Sequence, residues 1–328
     1  MANDLRWGIL GAARFAAKDM APAIHAARGN RLAALATTSP DKVAPFRAIT
    51  DDLTVYDSYA ALLDDDGIDA IYIPLANHLH VDWTLRAIEA GKHVLCEKPI
   101  ALDAGEVDRI IAARDASGLH VAEAYMILHH PQWERVRALL DAGALGTLGH
   151  VDAVFTYNNP DRANFRNQRG TGGGGIRDVG VYTYGSARFA TGAEPEEIST
   201  RIRWEDGVDV WAHTTGTMAG PKGRFTYSGL TSTRLMRHQS VTFHGSDGLL
   251  KLTAPFNGGV FAEAQAHLLR PDHSVAVERW PGVNQYVLQV ENFAATVREG
   301  VPYPAPLEFS RGTQAMIDMV FSQATDIT

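Results

Sequence analysis

Three side chains, Lys98, Asp178 and Tyr182, carry the functional groups that a proton-transfer site needs. A lysine ammonium near a tyrosine favours the phenolate and lowers a phenol pKa of about 10, so the tyrosine can act as a general acid or base. A carboxylate beside this pair would orient the lysine or bind a substrate hydroxyl. The three residues therefore predict acid–base chemistry at a hydroxyl or carbonyl group.

The surrounding sequence suggests where these groups lie. Lys98 belongs to Cys96-Glu97-Lys98-Pro99, at the carboxyl end of a predicted parallel strand, where open α/β sheets bind ligands. The proline favours an extended backbone at Lys98, which would direct its side chain across the crevice. Asp178 and Tyr182 are four residues apart and share one face of a predicted helix. The glycines of Gly172–Gly175 predict a close approach of the backbone to a nicotinamide ring or a sugar.

Each of these residues also has a structural interpretation. Lys98 alone could be a solvated charge. Asp178 could cap the helix at its N-terminus, and Tyr182 could lie in the core.

A glycine-containing turn follows the first predicted strand. The segment reads Gly8-Ile-Leu-Gly11-Ala-Ala13-Arg-Phe-Ala16, in which Gly11 and Ala16 match the first and third positions of the dinucleotide pattern G-x-G-x-x-G/A. Ala13 stands in place of the second glycine. Backbone N–H groups and the positive end of the following helix would bind phosphate there. The residues predicted to contact the cofactor in this turn are Gly11, Ala12, Ala13, Arg14 and Phe15. The alternative is a tight turn without a ligand.

The end of the second predicted strand indicates which cofactor is preferred. NAD-binding domains usually place a carboxylate there to bind the ribose hydroxyls, but this chain has Thr37-Thr38-Ser39-Pro40-Asp41-Lys42. Hydroxyl groups and the ammonium of Lys42 suit a 2′-phosphate, so NADP is predicted over NAD. The alternative is that Thr37, Thr38 and Ser39 form a turn that caps the next helix.

Several other site classes are not expected. The histidine pairs His78/His80 and His129/His130 have no further ligand cluster nearby, so no metal site is predicted. Cys96 is the single cysteine, which excludes an intrachain disulfide and a cysteine-cluster zinc site. No G-x-S-x-G motif is present, and a serine hydrolase has no support.

Strands alternate with helices over the first 125 residues, which predicts a doubly wound parallel sheet, a Rossmann domain spanning residues 1–125. The predicted strands are Leu5–Leu10, Arg31–Thr37, Thr54–Tyr56, Ala70–Ile73, His93–Cys96 and His120–Ala124. The predicted helices are Phe15–Ala27 with a break near Met20, Pro40–Ile49, His78–Ala90 and Asp103–Gly118.

Residues 126–328 have longer strands joined by short turns, which predicts an α+β domain with a large, mainly antiparallel sheet. Its predicted strands are Gly149–Tyr157, Glu197–Trp204, Val208–Met218, Arg224–Gly229, Ser240–His244, Leu249–Thr253, Phe261–Leu269 and Val275–Trp280. Its predicted helices are Gln132–Ala142, Asp178–Ala190, Gln285–Glu299 and Ser310–Ala324, the last expected to pack back on the first domain.

The composition of the chain argues against several other classes of protein. The chain has 328 residues, of which 45% are hydrophobic, so a fully disordered chain is excluded. Its net charge of −8 gives no support for a nucleic-acid surface. The N-terminal residues show no signal peptide, and no apolar run reaches the roughly 18 residues of a membrane span, so a cytoplasmic protein is expected.

Three motifs in order, the turn at Gly11, Glu97-Lys98-Pro99 and the glycine-rich stretch into Asp178-Val-Gly-Val-Tyr182, resemble those of the Gfo/Idh/MocA oxidoreductase family. The resemblance covers essentially the whole chain and is strongest to the branch of dihydrodiol dehydrogenase, D-xylose dehydrogenase and 1,5-anhydrofructose reductase. It implies an NAD(P)-dependent enzyme that pairs its subunits through the open face of the C-terminal sheet. A homodimer or homotetramer is therefore expected, with Trp211 on the buried face.

The resemblance also implies individual roles. Lys98 would contact the nicotinamide ribose and the substrate, and Tyr182 would exchange the proton beside Asp178. Thr38 replaces an arginine common at the 2′-phosphate, a contact that Lys42 could supply. The further cofactor contacts implied are Leu75, Asn77, His80, Glu97, Phe165 and Arg166, with Tyr286 approaching from the C-terminal domain.

The predicted function is hydride transfer between a nicotinamide and a secondary alcohol or hemiacetal carbon of a sugar or polyol, as in an aldose 1-dehydrogenase. Substrate hydroxyl groups would be bound by Tyr157, Asn158 and Arg162, close to the glycine stretch. One alternative is an NADPH-dependent reductase of an anhydro-sugar or dicarbonyl. Another is a non-catalytic NAD(P)-binding regulator, against which the intact Lys98, Asp178 and Tyr182 argue.

Overall fold

A computed structural model describes residues 4–328 of the chain, so residues 1–3 of the predicted first domain lie outside the described range. The described residues form two compact units. The first contains residues 4–101, 105–129 and 284–310, and the second contains residues 102–104, 130–283 and 311–328. Residues 284–310 thus belong to the first unit, although the predicted domain boundary placed them in the second.

The first unit is built on a parallel sheet that has six strands within residues 4–328. These strands are β1 Leu5–Leu10, β2 Asn30–Ala36, β3 Thr54–Tyr56, β4 Ala70–Ile73, β5 His93–Cys96 and β6 Val121–Glu123. Their spatial order is β3-β2-β1-β4-β5-β6, the doubly wound arrangement. Both faces of the sheet are covered, so β4 is buried at every position and reads as a continuous apolar run, as parallel strands do.

Helices connect these strands. They are α1 Ala21–Ala26, α2 Ala44–Arg47, α3 Tyr59–Leu63, α4 His80–Glu89 and α5 Ala104–Ser117. The helical path after β1 includes a π-helical turn, Ala16–Met20, directly before α1. The predicted break near Met20 is wrong, because Met20 and Ala21 keep helical dihedral angles and the π turn passes directly into α1, with Pro22 in its first turn. Helix α3 has no counterpart in the sequence prediction.

The second unit contains a sheet with nine strands in the described chain. The strands are β7 Leu148–Asn158, β8 Glu194–Glu205, β9 Val208–Gly220, β10 Gly223–Ser232, β11 Arg234–Gly245, β12 Leu249–Leu252, β13 Ala264–Leu269, β14 Val275–Trp280 and β15 Ala324–Asp326. Their order is β14-β13-β12-β11-β7-β10-β9-β8-β15. Pairing is antiparallel except for β10 with β7 and β15 with β8, so the predicted mainly antiparallel sheet is confirmed.

Four further helices complete the described fold: α6 Pro131–Asp141, α7 Val181–Thr191, α8 Gln285–Glu299 and α9 Leu307–Ser322. Helix α7 continues a second π-helical turn, Ile176–Gly180, and packs on the sheet, where the Tyr184 hydroxyl is 3.0 Å from Thr214 Oγ1 of β9. Helix α8 belongs to the first unit because Phe293 packs against Trp7 of β1, with ring centroids 4.8 Å apart.

Candidate active site

The glycine turn after β1 lies where the strand order of the first unit reverses, between β1 and β4. Gly11 has a φ of +99° and donates its N–H to Ala36 O at 2.9 Å. A Cβ at Gly11 would lie 2.9 Å from Leu75 Cδ2 and 3.2 Å from Tyr59 Oη. Glycine is therefore required here both for its backbone conformation and for space, at the place where doubly wound folds bind dinucleotides.

The residues after Gly11 fit a phosphate group. Helical hydrogen bonding begins with the Ala17 N–H donating to Ala13 O at 3.0 Å, so the N–H groups just before Ala17 lie in the first helical turn. Ala13 is half-buried and Arg14 is exposed. Alanine is the smallest residue that can replace the second glycine, so the turn stays narrow. The N–H groups of a first helical turn have no partner within the helix and attract anions.

The segment after β2 presents hydroxyl groups and a cation. Thr37 is buried, and its Oγ1 accepts the Ser39 N–H at 3.1 Å, which fixes the turn. Thr38 and Lys42 are exposed, and Lys42 ends a short 3₁₀ turn, Pro40–Lys42. The strand end carries no acidic side chain that would repel a 2′-phosphate, although Asp41 follows in the next turn.

His80 joins the loops that follow β4 and β5. Its ring is fully buried, with Nδ1 2.7 Å from Pro99 O and Nε2 2.9 Å from Leu75 O. Burial lowers the pKa of His80, while the hydrogen bonds to these two carbonyl oxygens act in the opposite direction. His80 thus holds the loop of Leu75 and Asn77 against the Lys98–Pro99 peptide, which is cis.

The end of β5 places Lys98 beside a fixed carboxylate. Glu97 accepts a hydrogen bond from the Tyr72 hydroxyl at 2.7 Å and one from the Lys98 N–H at 3.2 Å. Burial, followed by the Glu97 charge, raises the pKa of Tyr72 well above its usual range, so this phenol stays protonated and donates. The half-buried Lys98 therefore directly follows Glu97, whose carboxylate is held by Tyr72 and by the Lys98 N–H.

Tyr286 lies in the first unit, whereas the resemblance implied an approach from the C-terminal domain. It opens helix α8, where Asn284 caps the N-terminus by accepting the Tyr286 N–H at 3.0 Å. Its ring makes an edge contact with Phe15, with centroids 5.6 Å apart. The correction has a simple cause: α8 packs on the Rossmann sheet through Phe293 and carries Tyr286 with it.

In the second unit, Asp178 is held by two of the predicted site residues. Its Oδ2 accepts a hydrogen bond from the Tyr157 hydroxyl at 2.6 Å, and its Oδ1 accepts one from Arg166 Nε at 3.1 Å. Burial, reinforced by the carboxylate, raises the pKa of Tyr157, so Tyr157 remains a donor. The Arg166 guanidinium also stacks over Phe165, 4.5 Å from the ring centroid. Asp178 is thereby oriented as a hydrogen-bond acceptor.

Tyr182 lies one turn further along the same helical segment. Its side chain is 5% exposed and packs against Phe155 of β7 and against Phe256, with ring centroids 5.5 and 5.6 Å away. Phe155 and Tyr157 are two residues apart on β7 and point to the same face of the sheet. Tyr182 and Asp178 therefore pack against the same face of the sheet. Tyr182 contacts aromatic rings there, and Asp178 contacts Tyr157 and Arg166.

The glycines before Asp178 have close neighbours inside the protein, and their approach to a nicotinamide ring or sugar stays a prediction. A Cβ on Gly173 would meet the Arg166 and Gln168 carbonyl oxygens, and one on Gly174 would overlap the Asp209 carboxylate. Asp178 does not cap the helix, since Asp209 of β9 accepts the Ile176 N–H instead.

Two predicted substrate contacts remain, Asn158 and Arg162. Asn158 is exposed at the end of β7, and Arg162 is exposed and 3.3 Å from Asp206 in an ion pair. Within residues 4–328 no group of three or more potential metal ligands is found. No helix in the same range is long and apolar enough to cross a membrane.

Sequence reasoning missed Asp209 and Tyr72. Tyr72 lies in a strand whose every residue is buried, so nothing in the pattern distinguishes it from a core aromatic residue. Asp209 is an acidic residue between two valines of a strand, and that polar interruption was the available signal.

Comparison with known proteins identifies the family. Residues 5–125 match the model of the oxidoreductase family with an NAD-binding Rossmann fold, and residues 133–251 match the GFO/IDH/MocA C-terminal domain. The chain belongs to the Gfo/Idh/MocA family of oxidoreductases. The predicted family, enzyme class and nicotinamide cofactor are thereby confirmed.

Several relatives align over nearly full length. The chain is 32% identical over 331 residues to dTDP-3,4-didehydro-2,6-dideoxy-alpha-D-glucose 3-reductase of Actinomadura kijaniata, covering 99% of this chain and 97% of that protein. It is 32% identical over 330 residues to D-xylose 1-dehydrogenase (NADP(+)) 2 of Haloferax volcanii, covering 98% and 97%. A solved structure of a tyrosine-to-phenylalanine mutant of KijD10, a 3-ketoreductase from Actinomadura kijaniata, in complex with TDP-benzene and NADP, superposes with a TM-score of 0.89 at 29% identity, covering 99% of both chains.

Proposed function

We propose that this protein is an NADP-preferring oxidoreductase of sugars, in which Lys98, Asp178 and Tyr182 serve one reaction at a carbon that bears a hydroxyl or carbonyl group. The observation that carries the proposal is the held carboxylate: Asp178 is fixed by Tyr157 and Arg166, four residues before Tyr182. A helix that served only the core would not need an oriented carboxylate at this position.

The relatives support the same residues. In KijD10, crystallised variants replace one tyrosine or one lysine, and those two positions are 84 residues apart. Lys98 and Tyr182 are also 84 residues apart. KijD10 was crystallised with NADP and the xylose dehydrogenase is named for NADP(+), which agrees with a strand end that offers Thr38 and Lys42 instead of a carboxylate.

In the proposed mechanism, the bound nicotinamide supplies or accepts the hydride. Tyr182 moves the proton of the substrate hydroxyl, and the Lys98 ammonium favours its phenolate form. Asp178 accepts a hydrogen bond from the substrate or from Lys98. Glu97 holds the strand end that carries Lys98, and His80 positions the two cofactor loops without touching the ligand, since its ring is fully buried.

The proposed substrate is a sugar or polyol. A dehydrogenase of aldoses is supported by the xylose dehydrogenase, while reduction of a keto group on a sugar is supported by the 3-reductase and by KijD10. We propose as well that the protein forms a homodimer or homotetramer through the face of the nine-stranded sheet that carries Trp211 and His213. Light scattering coupled to size exclusion would measure that state.

The experiment is a screen that follows nicotinamide absorbance. Aldoses, polyols and dicarbonyls are offered with NADP⁺ or NADPH, and the same set with NAD⁺ or NADH. Turnover of a sugar with a preference for NADP is expected. Turnover of dicarbonyls alone would favour the alternative reductase, and binding of NADPH without any turnover would favour the non-catalytic regulator.

The substitution Tyr182→Phe then tests the proton-transfer role. A lost general acid–base group costs roughly 10²–10⁴-fold in rate, so kcat on the best substrate should fall by that factor with NADPH affinity unchanged. Tyr184→Phe on the same helix is the matched control, because its hydroxyl bonds Thr214 in the core. Equal kcat in Tyr182→Phe and wild type would refute the assignment.

A further inference from the structure

A buried carboxylate from a neighbouring strand holds the N-terminus of the helical segment that carries Asp178 and Tyr182. Asp209 lies in β9, is 2% exposed, and accepts the Ile176 N–H on Oδ2 at 2.6 Å. The two residues are 33 positions apart in the chain. A helix N-terminus usually takes its cap from the residue just before it, so this cap is supplied by the sheet.

The glycine stretch makes this contact possible. Gly174 has a φ of +123°, and a Cβ there would overlap Asp209 Oδ1, while a Cβ on Gly175 would lie 3.3 Å from Oδ2. Any larger residue at position 174 would push the carboxylate away from the helix. The unusual run of glycines and the buried Asp209 are therefore two parts of one arrangement.

The contact is protected from water. Burial raises the pKa of Asp209 to about 7, while the backbone N–H groups of Ile176 and Gly175 and the positive charge of Arg177 oppose that rise. Two titratable side chains of the helical segment interact electrostatically with this carboxyl: Arg177, whose positive charge lowers the pKa of Asp209, and Tyr184, whose pKa the Asp209 charge raises.

We propose that Asp209 is a positioning residue for the reaction assigned to Asp178 and Tyr182: its carboxylate fixes the first turn of the helical segment 176–191 and so sets the directions of both side chains. The inference rests on the proposed function. Asp178 lies two residues after the amide that Asp209 holds, within the π-helical turn Ile176–Gly180. A π turn is a wider helical turn that is frequent at functional sites, and here its first N–H is tied to the sheet.

Ionised and protonated Asp209 should differ in their effect. The carboxylate accepts the helix N–H groups with a full negative charge at the positive end of the helix dipole. The neutral acid loses the charge and turns one oxygen into a donor. Loosening of the first turn, and with it a lower kcat, is therefore expected as the pH falls through about 7.

The test combines Asp209→Asn with hydrogen–deuterium exchange. The asparagine keeps the size and one acceptor oxygen but not the charge. Misplacement of reacting groups by about 1 Å costs up to about 10²-fold, so kcat should fall roughly 10- to 100-fold and the limb near pH 7 should disappear. The affinity for NADPH, measured by fluorescence, should stay within about twofold. Exchange in residues 174–180 should become faster than in wild type.

Tyr184→Phe is the control for general destabilisation of the helix. It should lower the melting temperature but keep the wild-type limb and the slow exchange of residues 174–180. Unchanged exchange in Asp209→Asn, or an unchanged kcat and pH profile, overturns the proposal.

Wild-type protein alone keeps the proposal falsifiable if Asp209→Asn fails to fold. Hydrogen–deuterium exchange in residues 174–180, corrected for intrinsic rate, should accelerate below pH 7 relative to exchange in the strands of the second unit. If exchange in both regions depends on pH in the same way, the inference is overturned. Because exchange needs no substrate, a protein that turns over nothing would refute the proposed function while the exchange data still decide the role of Asp209.

Discussion

Asp178 shows how much of the site chemistry is set by single side chains. Its two carboxylate oxygens accept hydrogen bonds from Tyr157 and from Arg166. The Tyr157 hydroxyl, which is predicted to bind substrate, donates its hydrogen to Asp178. The direction in which Asp178 faces is therefore set by its neighbours.

Lys42 is the residue predicted to favour NADP over NAD. Its ammonium is exposed after β2, where a 2′-phosphate would be recognised. An exposed ion pair contributes up to about 1 kcal/mol, or about fivefold in affinity. Lys42→Ala should therefore raise the dissociation constant for NADPH about fivefold at low salt and leave that for NADH unchanged, as measured by fluorescence titration.

Lys251→Ala provides the matched loss of one exposed positive charge, on β12 of the other unit. It should leave both affinities unchanged. A Lys42→Ala protein that binds NADPH and NADH as wild type does would show that Lys42 does not contact the 2′-phosphate.

At the scale of elements, the turn between β1 and the first helical segment has no tolerance for a side chain. Gly11→Ala would force an alanine into a positive φ and place its Cβ 2.9 Å from Leu75 Cδ2. The left-handed backbone costs about 1–2 kcal/mol, and the clash moves the loop of Leu75. Unfolding free energy should fall, and NADPH affinity should drop at least about tenfold.

Gly118→Ala is the control for Gly11→Ala, because it produces the backbone strain without the clash. Gly118 has a φ of +69° after helix α5, with no atom within 4 Å of an added Cβ. Its substitution should cost similar unfolding free energy but leave NADPH affinity intact. Equal affinity in both variants, by titration on folded protein, would mean that the Gly11 turn does not serve the cofactor.

Elements with a strong local pattern could be predicted from the sequence. The strands Thr54–Tyr56, Ala70–Ile73, His93–Cys96 and Val275–Trp280 and the helix Gln285–Glu299 have the predicted bounds. Apolar runs between glycines or polar turns determine such segments locally. The motifs around Gly11, Lys98 and Tyr182 could be found for the same reason, because each is contiguous.

Features that depend on contacts distant in the chain could not be predicted. The π turn Ile176–Gly180 has the side-chain pattern of an ordinary helix, and its cap comes from Asp209. Helix α8 was assigned to the second domain by its position in the sequence, whereas the packing of Phe293 on Trp7 places it in the first unit. The close packing of the glycines at 173 and 174 against Arg166 and Asp209 could not be predicted, because these neighbours are not adjacent in sequence.

At the scale of the whole molecule, the two units should respond differently to acid. Burial lowers the pKa of His80, His93, His120 and His129 in the first unit, to about 4 for His120 and about 3 for His129. The buried Glu123 of the same unit has a raised pKa, which acts in the opposite direction. In the second unit, His130 with a pKa of about 4 is opposed by Asp209 with a pKa of about 7.

The sign follows from proton uptake. A histidine whose folded pKa lies below 6.5 binds a proton more readily in the unfolded chain, so its contribution is fully present above pH 6.5 and is lost as the pH falls toward the folded pKa. A pKa shift of one unit corresponds to about 1.4 kcal/mol, so His120 and His129 together represent several kcal/mol. Asp209 has a folded pKa above its unfolded value, so it adds stability as the pH falls below about 7. This gain offsets the stability that His130 loses over a similar pH range.

The first unit should therefore lose stability between pH 6.5 and 4 while the second changes little. Hydrogen–deuterium exchange at pH 7, 6 and 5, corrected for intrinsic rates, should show β1, β5 and β6 opening before β9 and β10. His120→Gln removes one titrating group and should flatten the pH dependence of the first unit, whereas His244→Gln on the exposed end of β11 should not. Since His120 packs between Phe293 and Tyr303, the Gln variant should also be less stable at pH 7. Simultaneous opening of both units at every pH would show that buried histidines do not govern acid unfolding here.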